Sequence, residues 1–269
     1  MLATGGYLIY NTYRHIVAPL LATPGCQAGT GQQAWPLDSG QAAVAATIAG
    51  VAVRYRLPRE AVTIAYATAM QESKMENLNY GDRDSVGIFQ QRPSEGWGTA
   101  TQLEDPVYAT TVFFRALVKI PGYTRLPVYQ AAQDVQHSAD GSAYQAYATV
   151  AASLAGSFAG AQAHAVTCWY SPASHGANVR AAWRDMAATF GRPGRNRALE
   201  GMTTARSEKS AVFRVRRADG WTVASWLVTH ADSYGITRLR YGGYEWRASI
   251  SETSWQREPG PASAGIAAS

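Results

Sequence analysis

The sequence predicts a mainly α-helical fold with a small α+β module at its C-terminal end. Three observations predict it. Apolar residues recur at helical spacing through much of residues 41–160, strand-like alternation first appears after residue 210, and a chain that is 46% hydrophobic and 16% charged can bury a core. With 269 residues there is chain enough for one or two domains. We divide it into an N-terminal arm (1–40), a helical domain (41–160), a linker with a short helix (161–210) and a small α+β module (211–269).

The stretch Leu2–Leu21 mixes apolar patches with Asn11, Arg14 and His15. It falls short of the roughly 18 apolar residues of a spanning helix and lacks the order of a secretory signal. Thr23-Pro24-Gly25 is a poor lead-in for a lipidated Cys26, and residues 22–40, rich in Gly, Pro, Thr and Gln, read as irregular. Gln41–Arg56 is Ala- and Val-rich and helix-compatible, ending before Leu57-Pro58. Pro58 then opens a second helix through Ser73, with Glu60 near its positive end and Val62, Ala65, Tyr66, Ala69 and Met70 on one stripe. Residues 75–99 form a long polar loop that carries Tyr80, Phe89 and Trp97; loops of this length are functional or disordered, and the aromatics favour function.

Helical patterns resume at Pro106–Ile120, Pro127–Ser138, Ala143–Phe158 and Asn178–Phe190. Residues 191–210 read as a basic linker. Ala211–Arg217 alternates as a strand, and Thr222–Tyr234 reads as an amphipathic helix with Val223, Trp226, Leu227 and His230 on one side. Ile236–Tyr241 and Tyr244–Ser249 read as two strands joined at Gly242-Gly243. Net charge is +5, divided as −1 over residues 1–176 and +6 over 177–269, so the basic character belongs to the C-terminal third. Cys26 and Cys168 are either two buried thiols or one disulfide closing a long loop.

Glu72 arrives at the C-terminal end of an apolar helix, just before the polar, aromatic loop. Burial against apolar surface penalises the charged form of a carboxyl group, which can then keep its proton and act as a general acid. Glycoside cleavage needs such a group to protonate the leaving oxygen while aromatic and amide side chains hold the sugar. The competing reading is a carboxylate that only caps or pairs at the helix end.

Gln71-Glu72-Ser73, followed by Gly81-Asp82-Arg83-Asp84-Ser85-Val86-Gly87-Ile88-Phe89-Gln90-Gln91, resembles the lysozyme-like fold of lytic transglycosylases and goose-type lysozymes. In those families a Glu-Ser pair ends a helix and a Gly-Leu-Met-Gln turn follows; here that turn reads Gly87-Ile88-Phe89-Gln90. The stretch from Ala67 to Thr99 is also similar to a group of actinobacterial secreted or membrane-anchored lysozyme-like proteins, and the resemblance covers about residues 40–160. It implies that Glu72 is the catalytic acid. Substrate contacts would come from Ser73, Tyr80, Gly87, Phe89, Gln90, Gln91 and Trp97, with a core aromatic that pins the loop as the equal alternative for Phe89. It further implies cleavage of the β-1,4 bond between N-acetylmuramic acid and N-acetylglucosamine in peptidoglycan glycan strands. The protein would then work outside the cell or in its envelope, tethered to a membrane if an N-terminal segment is missing or atypical.

The sequence departs from the family pattern in two places. Transglycosylases carry a Tyr-Asn pair in a later helix that supports the catalytic Glu; the corresponding region is Asp134-Val135-Gln136-His137-Ser138, with Gln136 the stand-in. Goose-type enzymes place a second acid just after the turn, where this chain has Gln91-Arg92, which leaves Asp82 and Asp84 as the available carboxylates. An inverting hydrolase needs such a base about 6.5–9.5 Å from the acid. Turn-forming aspartates are the alternative reading of both. If neither serves, attack by the substrate's own C6 hydroxyl gives a 1,6-anhydro product, the transglycosylase outcome.

Other chemistries lack their signatures. His15, His137, His164, His175 and His230 show no HExxH spacing and there is no CxxC pair, so no metal and no cofactor are expected. No G-x-S-x-G elbow or phosphate-binding loop is present. The basic tail with Trp221, Trp226, Tyr241, Tyr244 and Trp246 reads either as a module built on its own aromatic core or as a surface for acidic wall polymers, with no nucleic acid expected. A non-catalytic glycan-binding or scaffold protein that keeps a lysozyme-like cleft is the second functional expectation.

Overall fold

The helical half grows from two apolar helices joined end to start. Helix α1 (Ser39–Tyr55) opens with a capping box: the Asp38 carboxylate accepts the Gln41 N–H at 2.7 Å, and the Gln41 side chain accepts the Asp38 N–H at 3.1 Å. Helix α2 (Arg59–Ser73) follows Pro58 and stops where Lys74 turns left-handed, with the Lys74 and Met75 N–H groups closing back on Met70 and Ala69. Gln41 also donates through Nε2 to the Lys74 carbonyl at 3.0 Å, which ties the start of α1 to the end of α2. Inside, Tyr66 is fully buried, donates to the Ala45 carbonyl at 2.7 Å and meets Phe158 edge-on.

This is a computed structural model, and it describes residues 23–31, 34–136, 142–172, 176–195, 197–205, 209–251, 253–259 and 265–269. The expectations for Leu2–Leu21, His15, His137, Ser138 and His175 lie outside these residues. Around α2 pack α4 (Pro106–Leu117), α5 (Val128–Gln136), α6 (Ser142–Gln145) and α7 (Ala148–Phe158), after the short α3 (Ala100–Leu103). Ala143–Phe158, expected as one helix, breaks at Ala146-Tyr147, and the break turns Tyr144 toward α2 and sets Tyr147 against Lys74.

The fold is mixed α+β, which corrects the mainly α class expected from the sequence. About 48% of it is helix and 17% strand, in nine helices and two antiparallel sheets among the described residues. The arm supplies β1 (Gly25–Ala28) and β2 (Trp35–Leu37), and β1 pairs on its other side with β3 (Val166–Trp169). Cys26 lies opposite Cys168 in that register, and the two form a disulfide. Residues 161–210, expected as a linker with a short helix, carry β3, α8 (Val179–Phe190) and β4 (Leu199–Thr204). The second sheet runs in the order β4, β5 (Ala211–Val215), β9 (Gly265–Ala268), β6 (Arg238–Tyr241), β7 (Tyr244–Arg247) and β8 (Gln256–Arg257). Local periodicity missed β1, β2, β3, β4, β8 and β9 because most span two to four residues and draw their stability from partners distant in sequence.

One continuous core joins the two halves. Helix α9 (Gly220–His230) packs on α1 and on the inner face of the second sheet, burying Val223, Trp226 and Leu227. Trp246 and Trp255 donate to the carbonyls of Cys168 and Val166 at 3.0 and 2.8 Å. Gly242 and Gly243, both at positive φ, make the tight turn between β6 and β7. His230 stacks on Trp226 at 4.1 Å, and burial pushes its pKa down to about 4, so it is neutral packing material. Among the described residues no helix is long and apolar enough to cross a membrane.

Candidate functional site

Glu72 occupies the last turn of α2 and is half-buried. Its Oε1 accepts a 2.6 Å hydrogen bond from the hydroxyl of Tyr144 on α6. Among the described residues the carboxylate has no second hydrogen bond, so Oε2 carries none there. Tyr144 is the residue that sequence reasoning missed. Its signal was the Ala-Tyr-Gln run at 143–145, which resembles a Tyr-Asn pair more closely than Asp134–Ser138 does.

The loop after α2 is held by its own backbone. Val86 and Gln91 form an isolated antiparallel bridge around the turn Gly87-Ile88-Phe89-Gln90, and the Gly87 N–H donates to the Leu78 carbonyl at 2.6 Å. Gly87 sits at φ +77, and a Cβ there would lie 2.2 Å from the Leu103 carbonyl oxygen, so the position needs glycine on two counts. Ser73 donates to the Ile88 carbonyl at 2.8 Å and to Ala69 at 3.1 Å, clamping the turn to the end of α2. Gln136 donates to the Phe89 carbonyl at 2.8 Å from the other side. Gln136 therefore steadies the turn, and Tyr144 is the group that reaches Glu72.

Two residues expected to touch sugar, Phe89 and Gln91, face inward, and for Phe89 the packing fits the alternative reading, an aromatic that pins the loop. Phe89 is fully buried and stacked on Phe113 at 4.4 Å, so it anchors the turn in the core. Gln91 is buried too, and its amide finds no hydrogen-bond partner among the described residues. Gln90 is half-buried and donates to the Tyr80 and Gly87 carbonyls, each at 3.2 Å. Tyr80 projects into solvent, and Trp97 is half-buried over α4 and α5, where it lines a hollow of about 810 Å³ with Ile120 and Asp134.

The two loop aspartates differ. Asp84 accepts from Arg92 Nε at 3.0 Å and from Ser94 through both its N–H at 2.7 Å and its hydroxyl at 2.9 Å. These bonds, the Ser94 N–H foremost, hold its pKa down to about 2. Asp82 is exposed, and its carbonyl accepts the Ser85 N–H in a turn. At the helix end Lys74 donates to the Tyr147 hydroxyl at 2.5 Å and lies over its ring. The arrangement can therefore offer one carboxyl oxygen to a bound group while a phenol holds the other. Compared with known proteins, the sequence matches no protein-family model and no curated sequence.

Proposed function

We propose that the protein cleaves the β-1,4 bond between N-acetylmuramic acid and N-acetylglucosamine in peptidoglycan, with Glu72 as the general acid. The observation that carries this reading is the Tyr144 hydroxyl on Glu72 Oε1 at 2.6 Å, at the mouth of a loop clamped by Ser73 and Gln136. With Oε1 held, Oε2 is the oxygen that delivers a proton to the glycosidic oxygen. The carboxylate so formed keeps the Tyr144 bond as it turns to accept a proton from the next nucleophile.

That nucleophile is the substrate's own C6 hydroxyl. A water-activating base must bind a proton readily and be held beside the acid: Asp84, fully bonded and held down to about 2, is a poor one, and Asp82 is exposed, with no side-chain hydrogen bond among the described residues to fix its carboxylate toward Glu72. Bond cleavage with proton transfer from Glu72, then ring closure by O6 with the proton returned to Glu72, gives a 1,6-anhydro sugar and consumes no water. The proposed chemistry is thus that of a lytic transglycosylase working at the cell envelope.

The test is release of soluble fragments from purified sacculi. Wild-type protein is expected to release them and Glu72→Gln to retain glycan binding without release. Absence of release by wild type, where a control lysozyme digests the same sacculi, overturns the reading in favour of a glycan-binding or scaffold protein.

A further inference from the structure

The six-stranded sheet carries a second, separate surface. Helices α8 and α9 pack on its inner face, where Trp183 stacks on Phe213. The opposite face follows from the register: Thr203, Val212, Ala267, Arg240 and Glu245 lie in one row across β4, β5, β9, β6 and β7, and Arg238 pairs with Arg247 in the next. Val212 in that row is 41% exposed. The guanidinium of Arg214 lies on the same face, over Gly201.

This face is organised around one carboxylate. Glu245 is only 10% exposed at its side chain, and it receives the Nε atoms of Arg238 at 3.2 Å, of Arg240 at 2.6 Å, and of Arg247. Arg240 also reaches Glu258 through Nη2 at 2.9 Å. Three guanidiniums therefore share one buried carboxylate through their inner nitrogens, which orders them and leaves a surplus of positive charge on their outer ends. Beside them opens a hollow of about 480 Å³, lined by Arg238 and Arg240, by Thr203, Thr204 and Ser210, and by small residues of β9.

We infer that this sheet face is a binding site for an acidic glycan. Pre-ordered guanidiniums take the anionic groups: Arg238 and Arg247, held by Nε alone, present both outer nitrogens to a carboxylate in a pair, and Arg240, held by Nε and Nη2, adds Nη1. The hydroxyl-bearing residues that line the hollow take the sugar hydroxyls. The +6 charge of residues 177–269 draws a polyanion toward this end of the chain. The site shares no residue with Glu72 and its loop, and the inference stands whether or not Glu72 cleaves a glycan.

The experiment measures binding of the full chain to polygalacturonate, to uncharged dextran of similar length and to duplex DNA. Wild type is expected to bind polygalacturonate, to release it as salt is raised, and to leave dextran unbound. The Arg238→Gln/Arg240→Gln double variant, in which Arg247 still pairs with Glu245, should bind at least roughly tenfold more weakly while its circular dichroism spectrum at the binding temperature stays that of the folded wild type. Val212→Glu, which adds opposing charge without touching the arginine cluster, should weaken binding as well. Equal affinity in wild type and both variants, equal binding of dextran, no binding of polygalacturonate, or tighter binding of DNA than of the glycan each overturns the assignment. Glu72-dependent release from sacculi, read in parallel, is unaffected by these variants.

Discussion

The Tyr144 hydroxyl donates a 2.6 Å hydrogen bond to Glu72 across 72 positions of sequence, and it defines the candidate site. A hydrogen bond to a charged group contributes about 1.5–3 kcal/mol, which in a transition state is roughly 10- to 150-fold in rate. Tyr144→Phe keeps the ring and removes only the donor. Its rate of glycan release should fall by about that factor, and its stability by no more than about 3 kcal/mol, so that the variant remains folded under assay conditions. An unchanged rate would remove Tyr144 from the mechanism.

Asp84 is a structural aspartate in this account. Asp84→Asn should therefore leave glycan cleavage within about threefold of wild type, whereas loss of a required base costs roughly a hundredfold or more. Its pKa is depressed, so the unfolded chain takes up the proton first as pH falls. The stability that Asp84 contributes is present above about pH 4 and fades as pH drops through about 2. Acid titrations of wild type and Asp84→Asn should converge in that window.

Gly87→Ala meets both a left-handed backbone and the Leu103 carbonyl at 2.2 Å. The backbone strain alone costs about 1–3 kcal/mol. Denaturant unfolding should show a loss of at least that size, accompanied by reduced release because the turn beside Glu72 shifts. A neutral outcome would contradict the geometry of the turn.

The disulfide closes a segment of 142 residues between the first and third strands. Removing a native disulfide costs about 2–5 kcal/mol. Cys26→Ser/Cys168→Ser, or wild type under reductant, should unfold at a lower denaturant concentration by a matching amount. Identical curves with and without reductant would show that the bond is not formed in solution.

What the sequence disclosed depends on whether a feature is local. Helices α2, α4 and α5 follow the helical patterning of the sequence and α1 its Ala- and Val-rich composition, and Glu72 with its glycine turn is a short motif adjacent to one of them. Tyr144 went unread because its meeting with Glu72 requires α6 to fold back across α2, and the short Ala-Tyr-Gln run at 143–145 does not by itself say which carboxylate the tyrosine will reach. Phe89 and Gln91 look like cleft residues in a polar loop, yet the bridge between Val86 and Gln91 turns both inward. The strand β9 sits between β5 and β6, so the tail cannot be read as a sheet without the last residues of the chain. Cysteine spacing left the pairing open, and only the register of β1 against β3 closes it.

The most direct test is mass spectrometry of the muropeptides released from purified peptidoglycan by wild type and by Glu72→Gln. The account predicts products lighter by one water than hydrolysed muropeptides from the wild type, and none from the variant. Reducing-end products from the wild type, or release that persists in Glu72→Gln, would contradict it.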